Sequence, residues 1–205
     1  GAPMTFPPTT AGRGLQERPD GVVTAGSAAD IELLVGSNAD EARLFRWGMP
    51  AEMLAFLTDP VVETFFTGAV PPDTAKKVYA TSRPGADDRD VAYAVWGDAL
   101  FGIPAIRLAE AQLAWSDRVW MYRFAWPTPV LDGNLGACHA LEIPFVFETL
   151  EVVPTFVGDD APRELAEEMH RSWVQFATSG DPGWPTYDAG RRTTMVFDRA
   201  SSVVD

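Results

Sequence analysis

The sequence has one cysteine, Cys138, and two histidines. No disulfide can form within the chain, and nitrogen and sulfur ligands are too few for a structural zinc site. Basic charge is also scarce: 16 Lys and Arg stand against 29 Asp and Glu, a net charge of −13. A surface of that sign repels a nucleic-acid backbone or an anionic membrane, so neither is expected as a partner. No run approaches the ~18 consecutive apolar residues of a membrane span, and the start lacks the basic-then-apolar pattern of a signal peptide. Localisation stays open on these grounds, with the lack of disulfides favouring the cytoplasm. What is present is apolar: 46% of residues are hydrophobic and 22% charged, which suits a chain with a sizeable core rather than a disordered one. At 205 residues, that core belongs to one domain or one large piece of a domain.

Along the chain, strands and helices alternate. Residues 1–30 are rich in Pro, Gly, Thr and Ala and read as an extended approach segment without a core of its own. Ile31 to Val35 is a short, almost wholly apolar run ending at Gly36, as in a strand buried on both faces of a parallel sheet. Asn38 and Glu41 have capping-box spacing for a short helix carrying Leu44 and Phe45. Pro50 to Leu57, Pro60 to Phe66 and Pro72 to Thr81 each open at a proline and read as three short helices. Asp87 to Trp115 has helical periodicity throughout, with Pro104 placed to kink or split it. Arg118 to Trp126 is a strand candidate, with Val119, Met121 and Phe124 set against Trp120 and Tyr122. A long punctuated loop follows to Ala137, then an amphipathic helix over Ala161 to Thr178 with Leu165, Met169, Trp173 and Phe176 on one stripe. Thr193 to Phe197 is a late strand. The fold class is α/β, helix-rich with a few sheet strands.

Several candidate sites are weak. Cys138 and His139 are neighbours, but adjacent side chains on extended backbone point to opposite faces, so they do not make a thiol and its base. Glu167-x-x-His170 has the helical spacing of a di-metal ligand pair, yet no second such pair accompanies it, and no metal is expected. Glu41 is stronger. A carboxylate just beyond the C-terminal end of a buried strand stands where open α/β sheets place their chemistry, although a capping box explains the same spacing. His139 ends the long loop in a stretch of small residues. An acid and then a histidine, each after a successive strand, follow the chain order of a Ser-acid-His triad. No G-x-S-x-G occurs in the sequence, so at most two of the three triad members are here.

Two segments carry a family resemblance. Gly36-Ser37-Asn38-Ala39-Asp40-Glu41-Ala42-Arg43-Leu44-Phe45 resembles the G-x-N-x-D-E-G-x-x-F segment of type B carboxylesterases, the family that includes the cholinesterases. Gly136-Ala137-Cys138-His139-Ala140-Leu141-Glu142-Ile143-Pro144-Phe145-Val146-Phe147 resembles that family's G-A-x-H-x-x-E-I-P-Y-V-F. Gly97-Asp98 with Phe101 and Pro104, the run from Trp173 to Pro185, and Met195-Val196-Phe197-Asp198 agree in the same order. Ala42 and Ala140 depart from it, standing where the family usually has Gly, and Gly or Ser.

The resemblance implies that residues 1–205 are the C-terminal portion of a single α/β-hydrolase domain, whose nucleophile serine precedes Gly1. It implies catalytic roles for Glu41 and His139 in hydrolysis of a small-molecule carboxylic ester, with no cofactor. Phe45, Phe101 and Phe145, near the matched motifs, are candidate lining of an apolar substrate pocket. Asp98, in a matched motif but outside the triad, is expected to be a buried structural acid held by hydrogen bonds. The partner implied is the preceding half of the fold, and the chain alone is expected to be inactive and to self-associate through the face that half would cover. A catalytically inactive binding or adhesion module of the same family, and an unrelated acidic α/β binding domain, are the alternatives.

Overall fold

The computed structural model describes residues 19–46, 49–65 and 71–205. Most of the expected approach segment lies outside the described residues, but its end is not extended: α1 (Pro19–Thr24) is a short helix and residues 25–30 form turns. Four strands make the sheet, β1 (Leu33–Asn38), β2 (Val119–Phe124), β3 (Thr194–Phe197) and β4 (Ser202–Val204), in the spatial order β1-β2-β3-β4. The first three are parallel and β4 is antiparallel to β3. β1 starts two residues later than the apolar run suggests. Ile31 is exposed, and pairing begins at Leu33 opposite Val119 and runs to Asn38 opposite Phe124. Gly36 lies opposite Tyr122, and any Cβ there would run into the Tyr122 carbonyl and ring.

The β2 sequence is apolar on both faces because each face is covered. Trp120 and Phe124 join the larger core with Phe145, Val157, Met169 and Phe197, beneath α6 (Ile143–Val146), α7 (Pro154–Val157) and α8 (Arg163–Ser179). Val119 and Met121 pack on the other face with Ala109 of α5 (Ile103–Leu113). Phe124 therefore belongs to the Trp120 face, not to that of Val119 and Met121, as the period of two requires. His170, in α8, bonds the Val146 carbonyl through Nδ1 at 2.8 Å and ties that helix to α6.

α2 (Ala51–Phe65), α3 (Pro72–Thr81) and α4 (Asp88–Gly97) pack on one another, and α5 packs on β1 and β2. The two short helices expected at Pro50 and Pro60 are one, α2, with Pro60 inside it. A proline costs an internal helical hydrogen bond, but Leu54, Thr58 and Val62, at four-residue spacing, are buried on one continuous stripe, and that burial outweighs the break. α3 is as expected, and α4 begins at Asp87, whose side chain accepts the Asp90 N–H. A single π turn, Asp98–Gly102, separates α4 from α5 and absorbs Pro104 two residues later. Residues 88–113 are long and apolar enough to cross a membrane by length and composition alone. Val91, Val95, Ala99 and Ala109 within this stretch are buried in the protein's interior, as in a core helix. Asp98 is half-buried and accepts a 2.7 Å hydrogen bond from the Tyr79 hydroxyl, linking the π turn to α3.

Candidate active site

The site forms where β1 ends. Asn38 is the last strand residue, and Glu41 opens a six-residue 3-10 helix, Glu41–Arg46. The Asn38 backbone N–H donates to Glu41 Oε1 at 2.7 Å, which is the return half of a capping box. The other half is not made. The Asn38 side-chain amide donates instead to the Cys138 carbonyl at 2.7 Å and to Glu142 Oε2, acceptors that lie within its reach. The same carboxylate makes a second contact: Glu41 Oε2 meets His139 Nδ1 at 2.7 Å.

His139 comes from the long loop after β2. Thr128 and Gly136 bridge its base, and the chain then runs past Ala137 and Cys138 beside the Glu41 turn. The His139 backbone N–H donates to the Glu41 carbonyl at 3.4 Å. The Glu41 side chain is 7% exposed and that of His139 is 39% exposed, so the acid is shielded while the imidazole reaches solvent. Burial pushes the Glu41 carboxyl above its ordinary range; the Asn38 N–H and the His139 ring pull it partly back. A carboxylate on Nδ1 fixes the imidazole tautomer and leaves Nε2 to exchange a proton with a reacting group.

Phe45 and Phe101 flank the imidazole. Their ring centroids lie 5.3 and 4.8 Å from that of His139, and the two phenyl rings are parallel within 3° at 6.4 Å. Phe45 is 54% exposed, as a wall of an open site would be. Phe145 corrects the sequence reading. It is fully buried between Phe124 and Trp126, at 5.1 and 5.0 Å, and is core rather than pocket lining. Phe145 is the third residue of α6 and lies on its inward face with Pro144 and Val146, while Ile143 stays exposed. Cys138 is also fully buried, and burial pushes its thiol up to about 12, so it is no nucleophile.

Sequence reasoning gave Asn38 only a capping role and passed over Asp40. The Asp40 backbone N–H donates to the Ala137 carbonyl at 2.9 Å, and its Oδ2 accepts the Ala137 N–H at 3.0 Å. The charged pair Asp40 and Arg43 within the first motif was the available signal. Ala140, next to the histidine, has φ of +66°, so the departure from Gly places an L-residue in the left-handed region. Ala42 has no such strain, since it lies in the 3-10 helix with φ negative.

Known proteins resemble this chain along most of its length. The model of the carboxylesterase family matches residues 2–201. Para-nitrobenzyl esterase of Bacillus subtilis is 29% identical over 203 residues, covering 95% of this chain and 40% of that protein. Fumonisin B1 esterase of Sphingopyxis macrogoltabida is 31% identical over 188 residues, covering 84% of this chain and 33% of that protein. A carboxylesterase structure from Geobacillus stearothermophilus superposes with a TM-score of 0.79 at 34% identity, across 98% of this chain and 43% of that one. The chain thus spans about two fifths of the length of the relatives it matches. Its fold is that of the α/β-hydrolase carboxylesterases, and with the match running through nearly all its residues the chain belongs to the carboxylesterase family.

Proposed function

We propose that Glu41 and His139 are the acid and the base of a serine ester hydrolase whose nucleophile lies on sequence preceding these 205 residues. The single observation that carries the reading is the 2.7 Å contact of Glu41 Oε2 with His139 Nδ1, made by the two residues at the acid and histidine positions of the family-like motifs. The lack of a G-x-S-x-G and the two-fifths coverage of the relatives support a nucleophile elsewhere in the parent protein.

In this reaction, His139 Nε2 takes the proton of the serine hydroxyl as its oxygen attacks the ester carbonyl, and then gives that proton to the departing alcohol. Water repeats the cycle and frees the acid. Glu41 keeps the Nδ1 proton in place and stabilises the imidazolium in both steps. Glu serves as well as Asp because the role needs only a hydrogen-bonded carboxylate on the far ring nitrogen. The phenyl faces of Phe45 and Phe101 supply an apolar wall for the acyl or alcohol group. The substrate class is a small carboxylic ester, and the partner is the preceding part of the same fold.

Hydrolysis of p-nitrophenyl esters by the native protein tests the reading. His139→Ala is expected to lower kcat by about 10³-fold or more with KM little changed. A native protein that turns over no ester would leave the inactive binding module as the function.

A further inference from the structure

The Glu41 turn and the His139 loop meet at a pair of charged residues that take no part in the reaction. Asp40 holds Ala137 by a two-way clasp, donating its N–H to the Ala137 carbonyl at 2.9 Å and accepting the Ala137 N–H on Oδ2 at 3.0 Å. The other carboxylate oxygen accepts Arg43 Nε at 3.0 Å. Arg43 in turn reaches Asp90 of α4 at 3.1 Å and the Asn134 carbonyl of the histidine loop at 3.4 Å. The fit is close. Gly136 has φ of +58°, and a Cβ there would collide with the Asp40 carboxylate, so the loop passes at a distance only glycine permits.

We infer that Asp40, held by Arg43, is a positioning residue that sets the register between Glu41 and His139. The inference rests on the acid–base reading of that pair and adds the device that aligns it. Two links suit Asp40 for this. It is the immediate neighbour of Glu41, and it grips the chain two residues before His139, so a slip of the clasp moves both ends of the 2.7 Å contact. Arg43 orients the carboxylate towards Ala137 by occupying its other oxygen, and Asp90 and Asn134 fix Arg43 from α4 and from the loop. Asp40, Arg43 and Asp90 line a cavity of about 290 Å³ together with Arg83, Tyr93 and Ala94. Water can therefore reach the ion pair, and the backbone clasp, not charge alone, carries the alignment. The charged neighbours of the imidazole contact are Glu41 itself, Glu142 through Asn38, and the Asp40–Arg43 pair.

The test uses the native protein with Asp40→Ala, Asp40→Asn and Arg43→Met. The first readout is the low-field proton resonance of His139 Nδ1–H bonded to Glu41, which needs no turnover. It is expected to weaken or shift in Asp40→Ala and to return in part in Asp40→Asn, whose amide oxygen can still accept the Ala137 N–H while its NH2 cannot accept from Arg43; Arg43→Met should likewise fall between Asp40→Ala and the parent. The second readout is ester hydrolysis. Asp40→Ala is expected to lower kcat by about 10-fold to 100-fold with KM within about twofold, and to move the acid limb of the kcat profile to lower pH, because the imidazolium loses part of its carboxylate partner. An unchanged resonance in Asp40→Ala overturns the inference, as does a fall in melting temperature with no change in resonance or pH limb. A resonance that responds in a protein that hydrolyses nothing supports the clasp and removes the hydrolase reading.

Discussion

Glu41 Oε2 and His139 Nδ1 are 2.7 Å apart although the residues lie 98 positions apart in the chain. Links to three successive loop residues back up the contact: Ala137 to Asp40, Cys138 to Asn38, and His139 to Glu41. The Glu41 carboxylate and the His139 imidazole are therefore presented by two segments tied together along their length.

Replacing Glu41 by Gln keeps the size and one acceptor but removes the charge that stabilises the imidazolium, and it allows the wrong ring tautomer. In the native protein, Glu41→Gln is expected to lower kcat by about 10³-fold to 10⁴-fold with a small effect on KM, measured by steady-state hydrolysis of a p-nitrophenyl ester. A loss below 10-fold means that the carboxylate does not serve the histidine.

Burial raises the Glu41 carboxyl above its ordinary value of 4.5, which gives stability a definite pH dependence. Between that value and the raised one the folded state holds more protons than the unfolded state, so the group's contribution is greatest below 4.5 and declines as pH rises through the folded value. Urea unfolding of His139→Gln and of Glu41→Gln/His139→Gln isolates this, because no imidazole titrates at position 139 in either. The difference between them is expected to fall with rising pH across the window and then level off. A difference that rises with pH means that the carboxyl is lowered, not raised.

Ala140 at φ of +66° carries strain that glycine relieves. Ala140→Gly is expected to stabilise the native protein by about 0.5–1 kcal/mol, the relief of left-handed strain less the added entropy of the unfolded chain. Ala140→Val is expected to destabilise it by more. Thermal unfolding reads both, and a Gly variant less stable than the parent contradicts the strain argument.

Much of the site was legible because its residues sit in short segments where spacing and chemistry coincide. Glu41 fits both a capping box and a strand-end acid, and the structure makes it both, one oxygen to each. Phe145 was misread since a motif says which residues recur and not which way they face; between Phe124 and Trp126 it has no route to the imidazole. Pro60 was read as a helix start because proline breaks local hydrogen bonding, whereas the buried stripe of Leu54, Thr58 and Val62 is set by packing against α4 and its neighbours. β4 was missed altogether: three exposed residues, Ser202–Val204, show no pattern until β3 offers them an edge. Asp40 has the same lesson, since its partner Ala137 is 97 residues away.

The central claim is that His139 activates a serine outside this chain. The most direct measurement is labelling of the native protein with a fluorophosphonate, read by intact mass and by mapping the modified residue, for the parent and for His139→Ala. The expected result is one label per molecule on a serine outside residues 1–205, formed about 10³-fold more slowly in His139→Ala. A label on a serine within these residues, or equal rates in the two proteins, contradicts the claim.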